Sequence, residues 1–82
     1  MSYTNLGEFD NAIPLLKDTL KISSEIGAKD IFARANMTLG QIYMMNLESE
    51  KANMHFQEVI TIFRELNIPE YQQAKKYLHI IG

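Results

Sequence analysis

Side chains that could perform catalysis or hold a metal ion are few in this sequence of 82 residues. His55 and His79 lie far apart, and the glutamates nearest His55 lack the compact spacing of a metal site. Three acidic residues, Asp10, Glu48 and Glu50, fall where helices are predicted to begin, and there a carboxylate favours the helix dipole. There is no cysteine, which excludes thiol nucleophiles, disulfides and cysteine zinc sites. We therefore expect no enzymatic activity, no metal and no cofactor.

The composition indicates a small globular domain and argues against nucleic-acid and membrane partners. Hydrophobic residues make up 46% of the chain and the formal net charge is −2, which is typical of one small globular domain over residues 1–82. Lysine and arginine are scattered among acidic residues, so we expect no nucleic-acid binding. The longest apolar run, from Ile42 to Met45, is too short for a membrane span or a signal peptide, and we expect a cytoplasmic protein.

Apolar residues recur every three or four positions along almost the whole chain, which predicts an all-α protein. The predicted helices cover roughly residues 9–25, 30–46, 49–66 and 70–81, and the short linkers make consecutive helices antiparallel neighbours. We place Asp10 and Asp30 as the residues that cap the first two helices. Pro14 then falls in the first turn; the alternative is an interior proline that removes one hydrogen bond.

The sequence repeats itself after 40 residues. A shift of that length pairs identical residues at Tyr3 and Tyr43, Glu8 and Glu48, Ala12 and Ala52, Ile22 and Ile62, and Glu25 and Glu65. Both predicted helix stops, Gly27 and Asn67, are aligned by the same shift, and either residue can adopt the left-handed conformation that ends a helix. A duplicated helix pair is the simplest explanation.

These residues resemble the tetratricopeptide repeat family. Its signature is Leu-Gly, then Tyr, then Ala with an aromatic or large apolar residue four positions later. It is matched by Leu39, Gly40, Tyr43, Ala52 and Phe56, and in the preceding copy by Tyr3, Ala12 and Leu16. The repeat is longer than the usual 34 residues, and Asn36 occupies a position that is usually bulky. The resemblance divides the chain into an incomplete repeat (1–29), a full repeat (30–68) and a last helix (69–82). A slip of one residue then places Tyr77 at the bulky position and Ile80 at that of Leu39.

The resemblance implies a non-catalytic scaffold that holds a peptide or partner protein in a groove, as a segment of a larger regulatory or signalling protein. On the second predicted helix the groove would be lined by Arg34, Met37, Gln41, Met44 and Met45. Lys75 of the last helix would join Arg34 in binding a carboxylate. The alternative is that the methionine face is ordinary core.

A second hypothesis is a purely structural repeat unit that associates with itself. We expect uncovered apolar residues on the first and last helices, namely Phe9, Ala12, Leu16, Tyr77 and Ile81. Such edges predict a homodimer or domain swap, with head-to-tail stacking as the alternative. The helix-breaking Gly40 is explained in either case if two helices approach closely at that point.

Overall fold

The computed structural model describes the backbone of residues 6–81 and the side chains of residues 12–81. It contains four helices, α1 (Leu6–Ile26), α2 (Lys29–Met45), α3 (Ser49–Glu65) and α4 (Tyr71–Ile81). Each helix packs on the next one along the chain, and the short turns make neighbours antiparallel. The predicted all-α class is confirmed, and the arrangement is that of successive helical hairpins, consistent with a fragment of a helical repeat.

The three turns between helices share one backbone geometry. Each contains a residue with positive φ, and these residues follow one another at intervals of 20: Gly27 (76°), Leu47 (65°) and Asn67 (60°). The next residue in each turn donates its N–H over 2.8 Å to a carbonyl five positions earlier, in the pairs Ala28–Ser23, Glu48–Tyr43 and Ile68–Phe63. This is the Schellman helix end. The 40-residue repeat of the sequence is therefore also a repeat of the backbone.

Two predicted helix starts are wrong. Helix α2 begins at Lys29 with Ala28 in the capping position, so Asp30 lies in the first turn and does not cap the helix. The Schellman turn leads directly into α2, which leaves no separate capping residue. Helix α1 begins at Leu6, and Pro14 therefore lies in its interior and not in its first turn. The missing hydrogen bond is tolerated because Pro14 is exposed, so that water can reach this face.

The core lies between α2 and α3, and Phe56 is at its centre. The Phe56 side chain is fully buried and its ring stacks on that of Tyr77 with 5.0 Å between centroids. The ring also lies directly against the backbone of Gly40, since a Cβ atom added there would be 2.7 Å from the nearest ring carbon. The close approach predicted at Gly40 is confirmed.

Helix α4 has a different register from the predicted one. Its inward positions correspond to those of α2 with an offset of 39, in the pairs Phe32–Tyr71, Ala35–Ala74, Leu39–Leu78 and Ile42–Ile81. Neither Tyr77 nor Ile80 takes the position predicted for it. The reason is the entry into α4, where the N–H groups of Tyr71, Gln72 and Gln73 donate to carbonyls three residues back. Such a turn is completed in fewer residues than an α-helical one, which moves the inward face forward by one position.

Candidate functional site

Helices α2 and α4 lie side by side and run in the same direction, joined by two polar contacts. The guanidinium Nη2 of Arg34 lies 3.1 Å from Oε1 of Glu70. About two helical turns further along, Nε2 of Gln41 donates to the hydroxyl of Tyr77 over 3.1 Å. In both contacts the α4 residue is 36 positions after its α2 partner. Moving along α2 therefore means moving the same way along α4, so the two helices are parallel. We call the surface formed by their exposed sides the α2–α4 face.

A shallow depression of about 250 Å³ lies in the α2–α4 face. It is lined by Arg34, Met37, Thr38, Gln41, Phe63, Glu70 and Gln73. The guanidinium carbon of Arg34 lies 5.8 Å from the centre of the Phe63 ring, which fixes one side of the cation against an aromatic surface. Amide, hydroxyl and guanidinium groups therefore converge beside an apolar ring.

The pair of Arg34 and Glu70 is open to water, because both side chains are more than half exposed. Exposed ion pairs of this kind contribute from almost nothing to about 1 kcal/mol of stability. A carboxylate from another molecule could replace Glu70 at the guanidinium with little loss of internal stability.

The methionines of the predicted groove do not behave alike. Met37 and Met44 are half-buried and pack against the core, which agrees with the alternative that they are core residues. Met45 is 53% exposed. The α2–α4 face is therefore more polar than the sequence suggested, with one accessible methionine at the end of α2.

Lys75 does not join Arg34. Its Nζ atom lies 5.9 Å from the centre of the Tyr71 ring, and it does not line the depression. At about 100° per residue, Lys75 is roughly opposite Gln73 on α4. Lys76 is closer to the depression, since it lines a neighbouring concavity with Glu70 and Gln73. The predicted register of α4 aligned Lys75 with Arg34, whereas in the observed register Gln73 takes that position.

The predicted self-association edge is also placed differently. The side chain of Phe9 lies outside the described residues. Ala12 is half-buried, and Leu16 and Ile81 pack against the core. Tyr77 faces inward, where it stacks on Phe56. Among the α1 side chains that the structure describes, the large exposed apolar ones are Leu15, Ile22 and Ile26.

A buried polar contact between α2 and α3 was not predicted. The amide of Asn36 is buried; its Nδ2 donates to the carbonyl of Phe32, and its Oδ1 lies 2.8 Å from Nδ1 of His55. With the amide in this orientation Nδ1 of His55 carries a proton, and the imidazole ring stacks on Tyr43 at 5.4 Å. Asn36 itself indicated such a contact in the sequence, because it is a polar residue at a position that is usually bulky in tetratricopeptide repeats.

The surroundings of His55 oppose its protonation. Burial is the main cause that lowers its pKa, and the positive charge of Lys17 on α1 acts in the same direction. Glu58 on α3 opposes them more weakly. His55 is therefore harder to protonate than a free histidine, and it lies against Asn36 and Tyr43 of α2.

Neither a metal site nor a membrane helix occurs in the part of the chain that the structure describes. Within it, no three His, Asp or Glu side chains are grouped as metal ligands. None of the four described helices combines the length and apolar character needed to cross a bilayer.

Comparison of the chain with protein-family models, with curated proteins and with solved structures finds no match. The resemblance to tetratricopeptide repeats therefore rests on this chain's own residues and on its repeated turns.

Proposed function

We propose that this chain is a non-catalytic helical-repeat module of the tetratricopeptide type that binds a peptide, or a segment of a partner protein, on the α2–α4 face. The observation that supports this most directly is the parallel alignment of α2 and α4, with Arg34 and Gln41 held at one edge of an open depression. The 20-residue recurrence of the turns supports the family assignment.

The chemistry of the face favours a peptide with a carboxylate group. The guanidinium of Arg34 would bind that group in place of Glu70, and the amides of Gln41 and Gln73 would bond to the peptide backbone. The exposed thioether of Met45 would contact an apolar side chain of the ligand, a role for which methionine is well suited.

The test is selection of ligands from a library of random peptides, followed by fluorescence anisotropy with the selected sequences. We expect Arg34→Glu to weaken binding by about ten-fold or more, because it places like charges together. Arg64→Glu is the matched control, since Arg64 is exposed on α3 and does not line the depression. Equal effects of the two substitutions would exclude the α2–α4 face as the binding surface.

Glu70→Gln provides a test with the opposite sign. It removes the internal competitor for Arg34, so carboxylate-containing peptides should bind several-fold more tightly, within the roughly 1 kcal/mol that an exposed pair is worth. Peptides whose carboxylates are amidated should bind Glu70→Gln no more tightly than they bind the wild type.

A structural, self-associating unit is the second candidate. The observation that favours it is the exposed apolar surface of α1.

A further inference from the structure

Helix α1 carries an exposed apolar strip that no described element covers. The strip consists of Leu15, Ile22 and Ile26, which are 68%, 56% and 69% exposed. At about 100° per residue the three side chains fall within roughly 40° of one another around the helix. We call this set the α1 strip.

The internal repeat shows what usually covers this position. Forty residues after the α1 strip come His55, Ile62 and Leu66, in and just after α3. Two of these positions are covered, since Asn36 of α2 bonds to His55 and Ile62 is buried, whereas Leu66 is 39% exposed. The α1 strip is thus the counterpart of a surface that accepts an antiparallel helix.

The strip borders a groove between α1 and α2. Ser24 of α1 lines one open pocket together with Glu58, Thr61 and Ile62 of α3, and Asn36 of α2 bonds to His55 of α3. The α1 strip lies opposite Ser24, and the exposed Ile31 lies well away from Asn36 around α2. The α1 strip and Ile31 therefore both face the side of the α1–α2 pair that is remote from α3.

Charge identifies a candidate occupant within the chain itself. Asp18 and Glu25 are exposed along the outer edge of the α1 strip. Helix α4 contains no acidic residue and exposes Lys75, Lys76 and His79 on the surface that faces away from α3. We propose that the α4 helix of a second copy docks in the α1–α2 groove, with Lys75 and Lys76 beside Asp18 and Glu25.

This contact joins the head of one copy to the tail of the next. The aliphatic stems of the lysines and the exposed Ile80 would cover the α1 strip, while the ammonium groups reach its acidic edge. Each head-to-tail contact leaves one docking surface free at either end of the assembly, unless the rotation between successive copies closes a ring. The number of chains per assembly therefore rises with protein concentration.

Sedimentation velocity over a concentration series tests the proposal. We expect the average mass of the protein to rise beyond two chains at about 10–500 µM and to fall with added salt, which screens the charges. Lys75→Glu with Lys76→Glu should weaken association by about ten-fold or more, as should Asp18→Lys with Glu25→Lys. An equimolar mixture of the two double variants should restore it, since each then offers the other a complementary face.

The matched control is Lys51→Glu with Arg64→Glu, which changes the net charge as much as the Lys75 and Lys76 substitutions do, at two exposed positions of α3. It should associate as the wild type does, and circular dichroism should show all variants folded. A constant monomer mass would overturn the proposal. So would a plateau at two chains that the Lys75 and Lys76 substitutions leave unchanged, which is the result expected of a two-fold α1 dimer.

Discussion

A single atom separates glycine from alanine at residue 40, and the structure leaves no room for it. Glycine in a helix interior costs about 1 kcal/mol relative to alanine. The Phe56 ring uses the vacant space, and its three nearest carbons would lie 2.7–2.9 Å from an added Cβ. Because Phe56 is fully buried and stacked on Tyr77, the ring cannot move away freely. The penalty at Gly40 is therefore offset by the packing of Phe56.

Gly40→Ala should lower the free energy of unfolding by about 1 kcal/mol, because an overpacking cost of about 1–3 kcal/mol exceeds the gain in helix propensity. Gly40→Leu should be at least as destabilising, by about 1–3 kcal/mol. Urea denaturation followed by circular dichroism measures both. Thr38→Ala, on the exposed side of the same helix, is the control and should be neutral or slightly stabilising.

A double-mutant cycle separates this packing from other causes. Phe56→Leu replaces the ring by a shorter side chain. Gly40→Ala should therefore lower the free energy of unfolding less in that background than in the wild type. Additive effects of the two substitutions would contradict the proposed contact.

The turn residue Leu47 makes a prediction of the opposite sign. It has φ of 65° and is 88% exposed, so the left-handed backbone is strained with no burial in return. Leu47→Gly should raise the free energy of unfolding by about 1 kcal/mol, since glycine adopts this conformation without a steric cost. Asn67→Gly should gain less, because asparagine tolerates positive φ. A loss of stability in Leu47→Gly would show that the leucine side chain has a role that the turn geometry does not reveal.

At the scale of elements, α2 and α3 are joined by a polar contact as well as by apolar packing. The Asn36–His55 hydrogen bond is half-buried, and Nδ1 of His55 is its donor. Protonation of His55 is opposed by burial and by Lys17, so the folded state takes up a proton less readily than the unfolded chain.

The pH dependence of unfolding follows from this difference. Because the folded pKa of His55 lies below its ordinary value of 6.5, the unfolded state binds more protons as the pH falls through that value. The melting temperature should therefore be lower at about pH 5.5 than at about pH 7.5, and the loss should end below the folded pKa. His55→Gln should flatten this dependence, whereas substitution of the exposed His79 by Gln should leave it in place.

The existence of the four helices and the equivalence of the first and third turns could be predicted from apolar spacing and from Gly27 and Asn67, whereas the matching turn at Leu47 could not. The register of α4 could not, because it depends on three hydrogen bonds at Ile68–Gln73 that tighten the first turn. The observed offset of 39, against the predicted offset of 41, turned Tyr77 inward and moved Lys75 off the α2–α4 face. It also concealed Glu70 and Tyr77 as partners of Arg34 and Gln41.

At the scale of the whole molecule, contacts are restricted mainly to neighbours along the chain. Helices α2 and α3 each pack on two others, whereas α4 packs chiefly on α3, and α1 on α2. In such an arrangement the stability of each element depends on the interfaces it makes with its neighbours.

Native-state hydrogen exchange should reflect this order. Amides in the middle of α2 and α3 should be the most protected, and those of α4 should exchange sooner through local opening. Uniform protection across all four helices would indicate one cooperative unit and contradict a repeat-like molecule. The measurement is best made at low concentration, where the proposed docking of α4 on α1 would not add protection.

The sequence by itself determined the helices, the 40-residue repeat and the need for a small residue at Gly40, because these follow from local periodicity and backbone preference. Only the tertiary structure decided which residues meet. It paired Arg34 with Glu70, buried Asn36 against His55, and left Leu15, Ile22 and Ile26 uncovered. These outcomes depend on the rotation of each helix against its neighbours, and a change of one residue in a turn rotates a helix by about 100°.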